Sequence, residues 1–288
     1  MDQLCVAAPH TGAMDHVAQR QAMLDAVPEQ VGPVRAIRLV RDLDADGVPV
    51  RLYQDSTVPS APVLLYAHGG GWVLGDLTTH DGLCRLLAAE TGWAVLAVDY
   101  RRAPEAPFPA AFEDIDTVSG WLRRYAHQHA LDPTTVAVGG DSAGGLLATV
   151  AARRERDAGR GFAAQVLICP VTSPAMDYPD LGNDGLWPAE MAEFWDAFAP
   201  PGVDRHQPDL DPFLADPAGL PPAVIVTAEL DILRDEAERY AARLAAAGVP
   251  VIATRYQGTF HNFPRKLALT PHAGVAVAQI AAALRALT

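Results

Sequence analysis

The sequence predicts an α/β protein in which helices cover both faces of a mostly parallel sheet. From about residue 63 onward, short β-branched and apolar runs alternate with helical patterns, which favours parallel strands joined by crossover helices. Two strand-like runs before that point flank a turn and predict an antiparallel hairpin at the sheet edge. The chain has 288 residues, half of them apolar, so one large domain can bury a stable core without disulfides or structural metals.

The N-terminal part carries one weak helical pattern through Val17, Met23 and Val27, which Pro28 is expected to end. Two strands are then expected around an Asp-Ala-Asp-Gly turn at 44–47. The eight strands are expected at 34–41, 48–53, 63–67, 94–98, 135–139, 164–169, 223–227 and 249–255. The helices after the hairpin are expected at 80–91, 109–130, 146–152, 235–247 and 271–287.

Residues 170–222 break the alternation. They show no strand pattern, contain many prolines and concentrate the large aromatic side chains. Those aromatics are Tyr178, Trp187, Phe194, Trp195, Phe198 and Phe213. Because long insertions in compact domains commonly form lids or binding loops, we expect a cap over a functional site. A small helical pack whose aromatics bury one another is the alternative.

Composition and charge exclude several classes of function. Twenty-two basic against 35 acidic residues give a net charge of −13, which argues against nucleic acid and anionic membranes as partners. Three cysteines (Cys5, Cys84 and Cys169) without metal-like spacing indicate free thiols in a reducing compartment and no metal site. No apolar run resembles a signal peptide or reaches transmembrane length, so we expect a cytoplasmic protein without membrane insertion.

The stretch around Ser142 indicates nucleophilic catalysis. A buried strand, a G-x-S-x-G sequence and a helix follow one another there, which is the nucleophile-elbow arrangement. Such a turn strains the serine and brings strand and helix so close that Gly140 and Gly144 can have no side chain. The N–H of Ala143 then points to where an oxyanion would form. The alternative is a glycine-rich turn that happens to contain serine.

A serine nucleophile needs a base and an acid that follow it in the chain. Of the downstream histidines, His206 lies in the insertion and His272 begins the last helix. His261 follows the last strand, at the end of the sheet where open α/β folds place ligands, and is the predicted base.

Four carboxylates follow the strand at 223–227. Asp231 lies on the loop before the next helix and is the predicted acid, with Glu229 as its rival. Asp235 and Glu236 are interpreted as first-turn residues that favour the helix dipole.

The strand at 63–67 ends in His68-Gly69-Gly70-Gly71-Trp72. Consecutive glycines let the backbone turn its N–H groups toward one point, which would supply the remaining oxyanion donors. A flexible loop would explain three glycines alone. Their position after a buried strand, together with the G-x-S-x-G sequence, favours the oxyanion loop.

Six stretches in order carry a family resemblance. They are 68–72 (HGGGW), 99–105 (DYRRAPE), 108–114 (FPAAFED), 140–145 (GDSAGG), 229–236 (ELDILRDE) and 261–263 (HNF). Over about residues 62–265 the sequence resembles the hormone-sensitive-lipase-like bacterial esterases and lipases. Three departures matter: Asn262 stands where the family usually has glycine, Ile232 stands where it usually has proline, and the N-terminal cap segment is expected to be short.

The resemblance implies an α/β-hydrolase fold with an eight-stranded, mostly parallel sheet and a small helical cap. The cap would comprise an N-terminal segment (1–32) and an insertion (170–221), and the core 33–169 and 222–288. The resemblance implies Ser142 as nucleophile, His261 as base and Asp231 as its orienter, with oxyanion donors from the N–H groups of Gly70, Gly71 and Ala143. It implies no cofactor, and by analogy a homodimer.

The aromatic residues suggest a partly apolar substrate pocket. Its predicted members are Trp72, Asp141, Trp187, Trp195, Phe198 and Phe213. We therefore predict a serine hydrolase that cleaves uncharged carboxylic esters with short to medium acyl chains. One alternative is a deacylase that removes an acyl group from an amine or sugar. Another is a non-catalytic small-molecule receptor on the same fold, which the presence of His261 disfavours.

Overall fold

One sheet of eight strands forms the centre of the fold, as predicted. The structure, a computed structural model, describes residues 15–179 and 185–288. The strands are β1 (Leu39–Ala45), β2 (Val48–Gln54), β3 (Ala61–Ala67), β4 (Ala94–Val98), β5 (Leu131–Asp141), β6 (Gln165–Ile168), β7 (Ala223–Leu230) and β8 (Val251–Phe260). The helices are α1 (His16–Asp25), α2 (Val27–Val31), α3 (Asp81–Thr91), α4 (Ala110–Tyr125), α5 (Ala143–Asp157), α6 (Pro188–Phe198), α7 (Arg234–Ala246) and α8 (His272–Leu287).

The strand order is β1-β2-β4-β3-β5-β6-β7-β8. β2 pairs antiparallel with β1 and β4, and the other neighbours are parallel. Asp46 and Gly47 form the hairpin turn with φ angles of 57° and 92°, the left-handed values that a two-residue hairpin needs. The carboxyl ends of β3, β5, β7 and β8 therefore meet at one edge, where such sheets hold ligands.

Helices cover both faces of the sheet, which confirms the predicted class. On one face α3 and α8 contribute buried side chains such as Leu87 and Ile280. On the other face α4, α5 and α7 contribute Phe112, Leu147 and Leu244. Each such side chain stabilises the fold by about 1.5–3 kcal/mol when it leaves water, so the two cores fix the sheet between its helices.

Several predicted boundaries are wrong, each for a physical reason. Pro28 does not end a helix but lies in the first turn of α2. Backbone N–H groups in the first turn have no partner within the helix, so the N–H that proline lacks is not needed there. β1 begins at Leu39 because that residue is the first to pair with β2. β7 and β8 pair beyond a register shift between Ala228 and Leu230, which extends β8 to the residue before His261.

The two segments that were predicted to form a cap contain α1, α2 and α6. Arg20 of α1 donates to the carbonyls of Val73 (2.7 Å) and Ala103 (2.8 Å), and both of its terminal nitrogens bind the carboxylate of Glu105. These bonds tie α1 to the loops that follow β3 and β4. Residues 1–14 (with Cys5) and 180–184 lie outside the described residues.

Candidate active site

Ser142 lies in a tight turn between β5 and α5. Its φ and ψ are 52° and −119°, a backbone region that a non-glycine residue adopts only under strain. A Cβ on Gly144 would lie 2.0 Å from the carbonyl oxygen of Ala67, and one on Gly140 would lie 2.4 Å from the carbonyl oxygen of Gly144. Both positions therefore require glycine, as predicted from the close approach of strand and helix.

The structure brings Ser142, His261 and Asp231 together. His261 Nε2 lies 3.0 Å from Ser142 Oγ, and its Nδ1 lies 2.8 Å from Asp231 Oδ2. The second carboxylate oxygen of Asp231 accepts the N–H of Leu233 (3.0 Å), and Asp231 is buried. The rival Glu229 instead accepts the N–H of Gly258. One imidazole thus connects the serine hydroxyl with a buried carboxylate, the geometry of a general base and its orienter.

The glycines after β3 turn toward Ser142. Gly70 and Gly71 have φ angles of 125° and 60°, and both line the same cavity as Ser142. In the described part of the chain their N–H groups donate no hydrogen bond. Ala143 is the first residue of α5, so its N–H also has no partner within the helix. Within the described residues, the N–H groups of Gly70, Gly71 and Ala143 are therefore available as hydrogen-bond donors.

The cavity at Ser142 has a volume of about 230 Å³. The serine, His261 and the two glycines line one side of it. Met23 of α1 lines it as well, together with Leu186 and, from α6, Met191 and Phe194. A Cβ on Gly71 would lie 2.2 Å from the Phe194 ring, so this ring packs directly against the backbone of the glycine loop.

None of the six predicted pocket residues is among the residues that line this cavity. Trp72 packs against Trp195 and Phe198, with ring centroids 4.6 and 4.3 Å away, and all three are fully buried. Phe213 packs edge-on against Tyr240. Trp187 precedes α6, and Asp141 lies beneath the oxyanion loop. Aromatics that bury one another explain most of the cluster, because stacking them removes more apolar surface from water than lining a cavity would.

The family profile described as α/β-hydrolase fold matches residues 64–265. The esterase LipI of Mycobacterium tuberculosis is 39% identical over 93% of this chain and 87% of its own length. An esterase structure from Pyrobaculum calidifontis superposes with a TM-score of 0.89 at 35% identity, over 95% and 94% of the two chains. The chain belongs to the hormone-sensitive-lipase-like esterases.

A second relative and a second structure agree. An ethyl acetate hydrolase of Pseudomonas putida is 38% identical over 84% of this chain and 79% of its own length. A thermostable carboxylesterase cloned from a metagenomic library gives a TM-score of 0.90 at 33% identity, over 96% and 98% of the two chains. Among the described residues of this esterase, no helix is both long and apolar enough to cross a bilayer.

In this esterase Asp141 connects the loops around the serine. Its Oδ1 accepts from Tyr66 Oη (2.8 Å) and from the N–H of Gly69 (3.0 Å). Its Oδ2 lies 2.8 Å from Asn262 Nδ2 and 3.2 Å from His80 Nε2. Burial alone would raise the pKa of Asp141, but the charge and hydrogen bond of His80 and the bond from Tyr66 hold it at about 2. The Asp141 carboxylate therefore joins the glycine loop after β3 to the loop after β8 that carries His261 and Asn262.

Sequence reasoning missed two of the hydrogen-bond partners of Asp141, Tyr66 and His80. Tyr66 lies in a buried strand and His80 just before α3, and neither position has a local pattern that names its partner. The one available signal was the polar side chain of Tyr66 in β3, the strand next to β5, which leads to Ser142. His68, the first residue after β3, stacks on Tyr100 at 4.2 Å, and burial lowers its pKa to about 3.

Asn262 has a φ of 55°, the left-handed conformation that asparagine tolerates best among non-glycine residues. We expect Asn262→Gly to lower the free energy of unfolding by about 1–3 kcal/mol, because a hydrogen bond to a charged, buried carboxylate is lost. Asn262→Ala should lower the free energy of unfolding by about 1–2 kcal/mol more than Asn262→Gly does, since alanine is strained at this φ. Urea unfolding of the three proteins measures both differences. Equal stability of the glycine variant and the wild type would contradict a role for the bond to Asp141.

Cys169 lies behind the pair formed by Asp231 and His261. One donor atom from each of the three residues lies within 4.8 Å of the others, so the set has the composition of a metal site. His261 Nδ1 and Asp231 Oδ2 are engaged with each other, however, and burial raises the pKa of the Cys169 thiol well above its ordinary value. This environment suits a protonated thiol packed beside the carboxylate.

Glu236, in the first turn of α7, is a buried acid. Its Oε1 accepts the N–H groups of Thr172 (2.7 Å) and Ser173 (3.3 Å) in the segment after β6. Burial raises the pKa of the Glu236 carboxyl to about 8, against the effect of these two hydrogen bonds. The sequence pointed only to a favourable helix-dipole contact, because burial on the inner face of α7 depends on the tertiary fold.

This carboxyl makes stability depend on pH. Its folded pKa of about 8 lies above the ordinary 4.5, so its contribution is complete below pH 4.5 and is lost as the pH rises through 8. We expect the free energy of unfolding of the wild type, minus that of Glu236→Gln, to fall by more than about 1 kcal/mol between pH 6 and pH 9. Urea titrations at both pH values measure it. A difference that is the same at pH 6 and pH 9 would show that the carboxyl titrates normally.

Proposed function

We propose that this chain hydrolyses carboxylic esters through an acyl-enzyme on Ser142, with His261 as general base and Asp231 as its orienter. The observation that carries the proposal is the continuous contact from Ser142 Oγ to His261 Nε2 (3.0 Å) and from His261 Nδ1 to Asp231 (2.8 Å). The esterase relatives support the reaction class.

The steps follow from the geometry. Ser142 Oγ attacks the ester carbonyl while His261 Nε2 takes its proton, and Asp231 stabilises the imidazolium. The N–H groups of Gly70, Gly71 and Ala143 stabilise the oxyanion of the tetrahedral intermediate. Its collapse releases the alcohol, which takes the proton from His261, and leaves the acyl group on the serine. Water, deprotonated by the same imidazole, then releases the acid.

The cavity volume supports short to medium acyl chains. At about 230 Å³ it is smaller than the roughly 300–1,000 Å³ of sites that hold drug-sized ligands. Met23, Met191 and Phe194 give it an apolar wall. The relative named as an ethyl acetate hydrolase supports the same substrate class.

A series of 4-nitrophenyl esters from acetate to octanoate tests the proposal. We expect kcat/KM to be highest between acetate and hexanoate and to fall at octanoate, because a longer chain exceeds the cavity. 4-Nitroacetanilide is the matched amide and should be hydrolysed at least about a hundredfold more slowly. Faster cleavage of the anilide than of the acetate ester would favour the deacylase, and binding without turnover the receptor.

The division of the chain is part of the proposal. Residues 33–169 and 222–288 would form the catalytic core, and 1–32 and 170–221 the cap. Support comes from α1 and α6, which each contribute side chains to the cavity wall.

Location and assembly are proposed on other grounds. The net charge of −13 supports a protein that binds no nucleic acid. A cytoplasmic location and a homodimer through β8 and α8 rest on the sequence and the family resemblance. Light scattering of the purified protein tests the dimer.

A further inference from the structure

Strand pairing fixes the base relative to its orienter but not relative to the nucleophile. Asp231 follows β7 and His261 follows β8, and these two strands pair as far as Leu230 and Phe260. Ser142 follows β5, which is separated from β8 by β6 and β7 in the sheet. The distance between the imidazole and the serine hydroxyl therefore depends on contacts between loops.

One side-chain hydrogen bond joins the histidine loop (residues 261–263) directly to the elbow. Asn262 Nδ2 donates to Asp141 Oδ2 at 2.8 Å, and Asp141 directly precedes Ser142. Among the hydrogen bonds of the described residues, it is the one that links these two segments besides the catalytic contact between His261 and Ser142. The amide next to the base is thus bound to the carboxylate next to the nucleophile.

The carboxylate end of this bond is held by other groups. Asp141 is buried, and its Oδ1 accepts from Tyr66 Oη (2.8 Å) and from the N–H of Gly69 (3.0 Å). His80 Nε2 lies 3.2 Å from the oxygen that accepts from Asn262. With a pKa of about 2, Asp141 is ionised at neutral pH, so the bond from the amide is charge-assisted. Removal of the amide would free the histidine loop and leave the other contacts of Asp141 in place.

Asn262 is packed as well as hydrogen-bonded. A Cβ on Gly69 would overlap Asp141 Oδ2 and lie 3.0 Å from Asn262 Nδ2, so both groups pack against the backbone of the glycine loop. The next residue, Phe263, is fully buried. His261 therefore lies between a paired strand on one side and, on the other, a bound amide followed by a buried ring.

We propose that the side-chain amide of Asn262 is a positioning group for catalysis, which holds His261 at hydrogen-bond distance from Ser142 through the bond to Asp141. The inference rests on the proposed function, in which His261 is the base for Ser142. Glycine, the usual residue of the family at this position, would adopt the same backbone conformation without the bond. A misplaced base slows proton transfer because the reacting atoms leave their productive geometry, whereas substrate binding does not require that transfer.

Asn262→Gly and Asn262→Ala separate the role of the amide from that of the backbone. At a φ of 55° glycine is unstrained and alanine is strained, and neither side chain can donate to Asp141. We expect kcat for 4-nitrophenyl acetate to fall by about 10- to 100-fold in both variants, with KM within about threefold of the wild type. Wild-type kcat in Asn262→Gly, with a loss only in Asn262→Ala, would overturn the inference. A change in KM alone would also overturn it, because it would indicate contact with the substrate.

A transition-state analogue gives a second readout. The carbonyl carbon of 1,1,1-trifluorohexan-2-one forms a bond with the oxygen of an activated serine, whose proton passes to the base. Its Ki should rise in Asn262→Gly by about the factor by which kcat/KM falls. Hexan-2-one, the matched ketone without the fluorines, should inhibit wild type and variant equally. An unchanged Ki for the trifluoro ketone would contradict a role in positioning the base.

Leu284→Val controls for a general loss of stability. Leu284 is fully buried in the last turn of α8. Its neighbour Arg285 donates to the carbonyl of Glu90, which precedes β4 at the opposite end of the strands from the site. The replacement removes one buried methylene group without touching the loops, so kcat should stay within about twofold of the wild type. An equal loss of kcat in Leu284→Val and Asn262→Gly would assign the effect to stability and contradict the inference.

Fluorophosphonate labelling keeps this inference separate from the proposed function. In Asn262→Gly the adduct should form on Ser142 at least about tenfold more slowly than in the wild type, because the serine is less well activated. Labelling of Ser142 at the wild-type rate in this variant would overturn the role of Asn262 and leave the proposed function intact. An adduct on another residue of the wild type would overturn the proposed function itself.

Discussion

Replacing Ser142 with alanine is expected to lower kcat for 4-nitrophenyl acetate by about 10⁶-fold, because no other group at the elbow can form the acyl-enzyme. The residual rate would come from the oxyanion donors and substrate binding, which still accelerate the reaction of water. The alanine variant should fold normally, since the strain at this position (φ 52°) lies in the backbone and is shared by both residues. Steady-state kinetics with 4-nitrophenyl acetate and a thermal melt measure both.

Ser60→Ala is the matched control for this prediction. Ser60 is exposed and directly precedes β3, at the opposite end of that strand from the oxyanion loop. Its replacement removes the same hydroxyl without touching the site, so kcat should stay within about twofold of the wild type. A Ser142→Ala protein that keeps a tenth of the wild-type rate would contradict the acyl-enzyme on this residue.

Replacing Asp231 with asparagine is expected to lower kcat by about 10⁴-fold. The carboxylate accepts from His261 Nδ1 and so keeps Nε2 free to take the serine proton. An amide that donates to Nδ1 instead would hold the imidazole in the wrong tautomer, and it would not stabilise the imidazolium. The activity of the variant on 4-nitrophenyl acetate, measured from pH 6 to pH 9, gives the size of the loss.

Glu229→Gln is the matched control because Glu229 was the rival acid in the sequence. Its carboxylate accepts the N–H of Gly258, a bond that the amide oxygen of glutamine can also accept. We expect kcat to change by less than about threefold. A large loss in Glu229→Gln together with near-normal activity in Asp231→Asn would reverse the assignment of the acid.

The parts of the site that lie on short motifs could be predicted from the sequence. Gly140 and Gly144 flank the serine because strand and helix nearly touch there, and this steric demand is local. His261 and Asp231 could be predicted because chain order and strand ends limit the candidates. The strands were recognised for the same reason, since buried parallel strands are short apolar runs.

The substrate pocket could not be predicted from the sequence, because aromatic composition does not distinguish a cavity wall from a core. Trp72 follows the oxyanion glycines and was predicted to line the pocket, yet it packs inward against Trp195 and Phe198. The cavity wall comes partly from methionines and from Arg265 and Lys266, which have no local pattern. Their placement depends on how α1, α6 and the histidine loop pack together.

The network around Asp141 was also beyond sequence reasoning. Its partners Tyr66, Gly69, His80 and Asn262 come from four different parts of the chain. Each contact is long-range, so no spacing rule connects them. Asn262 was recognised as a departure from the family, but its bond to Asp141 follows only from the packing of the two loops.

The most direct test of the central claim is mass mapping of the adduct left by a fluorophosphonate, which phosphonylates a serine that a neighbouring base has activated. The wild type should carry one adduct, on the peptide that contains Ser142, and labelling of Ser142→Ala and His261→Ala should be at least about a thousandfold slower. An adduct on another residue, or labelling of Ser142→Ala at the wild-type rate, would contradict the proposal that Ser142 and His261 form the catalytic pair.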